Sequence, residues 1–378
     1  MRLRTASIAT ALLLVAGAST PAVPAEGAPK REARTAASVL AGMTLPQRVG
    51  ELLMVGTPTS RPSTAALATI GRYHVGSVIL MGNSTGGRAE VAPTVAALQD
   101  RTSAAATAST RLFVAVDQEG GKVQHLKGPG FAAMPSALTQ GTWAPSALRA
   151  EARSWAGQLS AAGVNLDLAP VTDTVPSAHA DDNAPIGHWQ RELGHRPGPV
   201  GTHAAAIVRG MGAAGVATSA KHFPGLGRVT GNTDLVRTVV DRRTTRHDAY
   251  LKPFAATIEA GVPLVMMSLA TYRRIDAGVP AAFSRRIVTG MLRHDLAFDG
   301  VVISDSLTAA AAQRYGAGER AVRFVQAGGD IALVTEAGPI AGMYAALLDK
   351  ARTDPAFRKR VDASALRVLQ AKERFGLL

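Results

Sequence analysis

The chain has 378 residues, 47% of them hydrophobic and 18% charged, which gives enough apolar side chain for a large core and excludes a disordered chain. It has no cysteine, which excludes disulfides, thiol nucleophiles, thiolate metal sites and a lipidated N-terminal cysteine. The formal net charge of +13, two units of it from Arg2 and Arg4, favours an anionic partner.

Residues 1–25 read as an export signal. Arg2 and Arg4 give the positive start, Ile8 to Ala18 a short apolar stretch, and Val23-Pro24-Ala25 a small-residue cleavage site. The apolar run is too short to span a bilayer comfortably, and no later run has the length of a transmembrane helix. The mature protein is expected to be soluble, monomeric and outside the cytoplasm. For such a protein an anionic cell-wall polymer is the expected charged partner, with an ordinary solvated basic surface as the alternative. Nucleic acid is not expected, because only 4% of residues are aromatic and the basic residues are dispersed.

Residues 26–36 read as a flexible lead, and 37–378 as one domain. Apolar runs suited to strands fall at Leu52–Val55, Ser77–Leu80, Leu112–Val116, Asn165–Leu168, Val216–Ala220, Leu264–Met267, Val301–Ile303 and Ile331–Val334. Amphipathic stretches lie between them, among them Ser146–Ala162, Val200–Ala213, Tyr250–Ala260 and Ser284–Asp295. Near-continuous Val/Ile/Leu runs separated by helices indicate parallel strands covered on both faces. Eight of them predict an α/β fold of the (β/α)8 TIM-barrel type in a single domain. A doubly wound sheet is the competitor, but Val55-Gly56-Thr57-Pro58 is not the glycine-rich loop that would announce it.

Barrel enzymes carry their chemistry at the C-terminal ends of the strands, and several runs here end in polar residues. Leu112–Val116 gives way to Asp117-Gln118-Glu119-Gly120-Gly121, and Val216–Ala220 to Lys221-His222-Phe223-Pro224-Gly225. Val301–Ile303 leads to Ser304-Asp305-Ser306, and Leu166–Pro170 to Asp173. Each position has a structural alternative: Asp305 or Ser306 as a helix cap, Asp117 as a loop anchor, Lys221 as a counter-ion. The nine histidines are scattered and no Gly-x-Ser-x-Gly elbow is present, so neither a dedicated zinc site nor a serine hydrolase is indicated. Paired carboxylates acting on a sugar are the chemistry left most open.

Over roughly residues 37–376 the sequence resembles the family 3 glycoside hydrolases, in particular the single-domain β-N-acetylglucosaminidases. Four segments carry the resemblance in order: Met43–Met54, Asp117–Gly121, Lys221–Gly225 and Phe298–Asp305. It implies a retaining exo-glycosidase without metal or organic cofactor, acting on a carbohydrate, namely terminal amino sugars of peptidoglycan-type glycans. It also implies that Asp305 is the nucleophile and that Asp117, Lys221, His222 and Arg191 grip the terminal sugar, with His125 in the same sugar-gripping loop. Two departures stand out. Lys122 and His125 occupy positions where the family usually has arginines. Where it has an Asp-x-His acid/base dyad, this chain has Asn232, Thr233 and Asp234. Asp234 is therefore expected to act as acid/base, its pKa raised by Asp305, with Asn232 orienting it. A β-glucosidase-like exo-glycosidase and a non-catalytic wall-binding protein are the competing functions.

Overall fold

The computed structural model describes residues 34–378. The export signal expected over 1–25, and most of the lead, lie outside the described residues. The lead expected to reach residue 36 ends sooner, because its last residues are tied down. Thr35 caps the helix Ala36–Gly42 through a reciprocal pair with Ser38. Arg34 Nη1 donates to the Ser109 carbonyl at 3.0 Å, and the Ala36 amide to Glu373 Oε2 at 2.9 Å.

Eight parallel strands form the centre: β1 Leu53–Pro58, β2 Ser77–Met81, β3 Phe113–Val116, β4 Leu166–Asp167, β5 Ala217–Phe223, β6 Leu264–Met267, β7 Val301–Ser304 and β8 Ala332–Val334. Each pairs in parallel with the next, from β8 through β1 to β7. The ring closes where Ile303 bridges Ile331 and the Ser304 amide donates to the Ile331 carbonyl at 2.9 Å. Strand order thus equals chain order, as expected of a (β/α)8 barrel. All eight strands lie within the expected apolar runs or extend a few residues beyond them.

The strands are apolar on both faces, and their alternation sorts two sets of side chains. Met54, Ile79, Phe113, Ala115, Leu166, Met266, Ile303 and Leu333 pack together. Ile79, Met266 and Leu333 among them also line the central cavity, which places this set inside the barrel. Leu53, Val55, Val78, Leu80, Val114, Val116, Val265 and Val302 form the other set, against the helices. Those helices include Pro145–Ala161, Pro197–Gly212, Lys252–Glu259 and the wider, π-wound Arg286–Asp295. Among the described residues no helix is long and apolar enough to cross a membrane.

Candidate active site

The loops at the C-terminal ends of the strands enclose a cavity of about 480 Å3. Asp117, His125, Arg191, Lys221, His222, Asn232, Asp234 and Asp305, singled out from the sequence, all line it. They come from β3, β5, β7 and the loops after them and after β4, so only closure of the barrel brings them together.

Lys221 and His222 are adjacent in β5, where side chains ordinarily alternate between faces. The pairing with β6 slips between Lys221 and Phe223, leaving His222 as the extra residue of a bulge, and both side chains reach the cavity. The ammonium of Lys221 is held by Asp117 and by Glu119 Oε1, the latter at 2.6 Å. Arg191 meets Glu119 through two parallel bonds of 2.7 Å and donates from Nη1 to the Pro185 carbonyl at 2.8 Å. Burial opposes the charge on Glu119, but Arg191 and Lys221 overcome it and hold the carboxyl far below its ordinary range. Burial likewise works against the charge on Lys221, and Asp117 and Glu119 more than restore it. The cations are therefore permanent, oriented donors on one wall.

His222 Nδ1 lies 2.7 Å from Asp173 Oδ2, and the other oxygen of Asp173 accepts the backbone amides of His222 (3.2 Å) and Leu226 (2.7 Å). An acceptor-only carboxylate fixes the proton on Nδ1 and leaves Nε2 for a ligand. His125 lies at the edge, with Nδ1 3.1 Å from Asn83 Oδ1. Lys122 does not line the cavity; its ammonium sits over the Trp189 ring, 5.4 Å from the centroid.

Asp305 stands immediately after β7 and lines the same cavity, with its Oδ1 accepting the Ser306 amide at 2.8 Å. No helix starts at Leu307, so neither Asp305 nor Ser306 is a helix cap. Beside it, Ser306, Thr308 and Thr335 form a chain of hydroxyls at 2.7 Å spacing along the cavity wall.

Asp234 occupies the tip of the loop after β5. The backbone there docks on the segment after β7, with the amides of Ala310 and Ala311 donating to the carbonyls of Asp234 (3.2 Å) and Thr233 (3.0 Å). Asn232 reaches Asp234 through the backbone. Its Oδ1 accepts the backbone amide of Asp234 at 2.9 Å rather than meeting the carboxyl. Asp234 is exposed by accessible surface, yet the surrounding walls strip part of its hydration. That loss of water and the repulsion of Asp305 push its carboxyl up to about 6, against smaller pulls from His222 and Arg191.

Nothing within the Asp117–Gly121 segment sets Glu119 apart, because its role depends on Arg191, distant in sequence. Asp173 reads from the sequence only as a carboxylate near a strand end. Asp167, at the end of β4, is also buried beneath this wall. Burial raises its pKa well above the ordinary range, and its Oδ1 accepts the Gln118 amide at 3.0 Å. Among the described residues no group of three or more His, Asp or Glu side chains is placed to share a metal ion.

The arrangement has clear relatives. Residues 44–371 match the glycosyl hydrolase family 3 N terminal domain. A β-hexosaminidase of Xanthomonas oryzae is 32% identical over 297 residues, covering 75% of this chain and 83% of the relative. A β-hexosaminidase of Xylella fastidiosa is 34% identical over 300 residues, with the same coverage. Among solved structures, a β-N-acetylhexosaminidase of Beutenbergia cavernae superposes with a TM-score of 0.86 at 47% identity, covering 88% of this chain and 99% of that one. A family 3 β-N-acetylglucosaminidase of Paenibacillus gives 0.80 at 31% identity, covering 89% and 63%. With a barrel closed in chain order and polar residues gathered at its C-terminal rim, these matches place the chain in glycoside hydrolase family 3.

Proposed function

We propose that this chain is a retaining exo-β-N-acetylhexosaminidase that removes terminal β-linked N-acetylglucosamine through a glycosyl intermediate on Asp305. The hexosaminidase relatives support the substrate class. The single observation that carries the mechanism is the pairing in one cavity of Asp305 with Asp234, the latter held up to about 6. Two carboxyls in one cavity, one of them raised in pKa, suit the divided work of a retaining glycosidase.

In the first step an Asp305 oxygen bonds to the anomeric carbon while the bond to the leaving oxygen breaks, and protonated Asp234 gives that oxygen its proton. In the second, ionised Asp234 takes a proton from water as the water oxygen displaces Asp305. Lys221 and Arg191 donate to the hydroxyls of the terminal sugar while Asp117 and His222 Nε2 accept from them, and as groups already fixed in place they need no rearrangement as charge develops. The natural substrate in this reading is a peptidoglycan-derived glycan met outside the cytoplasm, which the signal-like opening segment and the basic charge favour.

Incubation with a 2-acetamido-2-deoxy-5-fluoro glycosyl fluoride followed by peptide mass mapping tests it. The expected adduct is on the peptide containing Asp305, absent from Asp305→Ala. A label elsewhere, or turnover that survives Asp305→Ala, would remove the mechanism. The corresponding 5-fluoro-glucosyl fluoride, with a 2-hydroxyl in place of the acetamido group, tests the β-glucosidase alternative, and tight binding of fragments without any adduct would favour the non-catalytic binder.

A further inference from the structure

At the opposite end of the barrel, three helices frame a second concavity of about 390 Å3. Its walls belong to Arg286–Asp295, Ala317–Ala327 and Pro355–Arg374. Arg293 fixes its place by donating to the carbonyls of Phe298 (3.1 Å) and Gly300, the residues that lead into β7. Asp330, just ahead of β8, accepts the Val302 amide at 2.8 Å.

Arg293, His294, Lys359, Arg360 and Arg367 line this groove, and no acidic residue does. The carboxylate beneath it is already divided. Asp330 takes Arg293 at 2.5 Å, Arg367 at 3.1 Å and the Ser364 hydroxyl at 2.7 Å. Neither Lys359 nor Arg360 has an acidic partner among the described residues. The crowding follows from the sequence of the last helix. Ala356, Lys359, Arg360, Ala363, Ser364 and Arg367 recur at three- and four-residue spacings and share one face. The small residues leave the floor open and the long cations form the rim. Asp362, from the same helix, turns to another side and pairs with Arg48 at 3.0 Å. Like charges on one helix face repel one another, so the face is best satisfied by anions from outside.

We propose that this groove binds a linear polyanion with closely spaced phosphodiesters, of the polyol-phosphate type found in cell walls, and docks the enzyme with its active-site cavity at the far end. A guanidinium offers paired donors that match a phosphate, and the groove has room for more than one. Its concave form suits a strand better than a flat membrane surface. It has no Phe, Tyr or Trp on which nucleic-acid bases would stack. No residue is common to groove and cavity, so docking and catalysis separate cleanly.

The test is binding of the full chain to poly(glycerol phosphate) across a salt series, with single-stranded oligonucleotide and anionic phospholipid vesicles as competing arms. Lys359→Glu/Arg360→Glu is expected to lose about tenfold or more in affinity at low salt and to flatten the salt dependence, with hydrolysis of a soluble aryl glycoside unchanged. Arg101→Glu/Arg153→Glu, an equal change of charge elsewhere, is expected to lose much less. Equal losses in the two double variants, or preference for oligonucleotide or vesicles over the polymer, would overturn the proposal.

Discussion

Glu119 sets its two oxygens against Nε and Nη2 of Arg191, each at 2.7 Å, and one of them also faces Lys221 Nζ at 2.6 Å. A single buried carboxylate thus positions both cations of the sugar-gripping wall. Glu119→Gln keeps the shape but leaves two buried cations undercompensated, and breaking such a pair costs about 3–5 kcal/mol. The sign of its pH dependence follows from the depressed carboxyl. The stabilisation is complete above the unfolded value of about 4.3 and drains away as pH falls through the lower folded value. Thermal melts of the two proteins are therefore expected to differ most near neutrality and to converge in strong acid. A difference independent of pH would show that Glu119 acts through packing alone.

Asp234 must be protonated to donate, and its carboxyl sits at about 6. Turnover of an unactivated disaccharide is expected to fall as pH rises through about 6, the alkaline limb of a bell-shaped profile. Asp234→Asn is expected to lower that turnover by about 10²-fold or more. The first step on a dinitrophenyl glycoside, whose leaving oxygen needs no proton, should change little. Equal losses on both substrates would mean that Asp234 supports binding rather than proton transfer.

Asn232 meets Asp234 through the backbone, and this predicts opposite outcomes for two substitutions. Asn232→Ala removes the acceptor that closes the turn, so the acid is less well placed and turnover is expected to fall several-fold without a shift in the profile. Asn232→Asp keeps the acceptor and adds a negative charge, so the alkaline limb should move upward from about 6. An unmoved limb in Asn232→Asp would mean the side chain is too far from the Asp234 carboxyl to be felt.

Much of this architecture was legible because parallel barrel strands are buried on both faces, and runs such as Leu264–Met267 and Val301–Ile303 therefore stand out from their amphipathic surroundings. The rim was legible for a related reason: apolar runs broke off into Asp117, Lys221-His222 and Asp305. What remained hidden depends on contacts between distant segments. Nothing local to Glu119 or Asp173 identifies Arg191 or His222 as its partner. Nor does the opening segment show that Arg34 and Ala36 are tied to Ser109 and Glu373.

The same holds for the buried pair of Glu51 and Lys372 beneath the barrel. Lys372 is fully buried, donates to the Gly76 carbonyl at 2.9 Å and meets Glu51 Oε1. Burial dominates both groups: it raises Glu51 and lowers Lys372, and their mutual attraction offsets only part of the shift. The pair is therefore costly to halve and cheap to replace whole. Lys372→Met strands a carboxyl in an apolar setting and is expected to destabilise the fold by about 3–5 kcal/mol at neutral pH. The loss should shrink on acidification, because a protonated Glu51 no longer carries an unpaired charge. Glu51→Met/Lys372→Met removes both charges at similar volume and should recover most of the stability, or exceed the parent. Denaturant titration of the three proteins at pH 5 and 7.5 checks this. If the double variant proves no more stable than Lys372→Met, the bond to Gly76, rather than the ion pair, is what the lysine contributes.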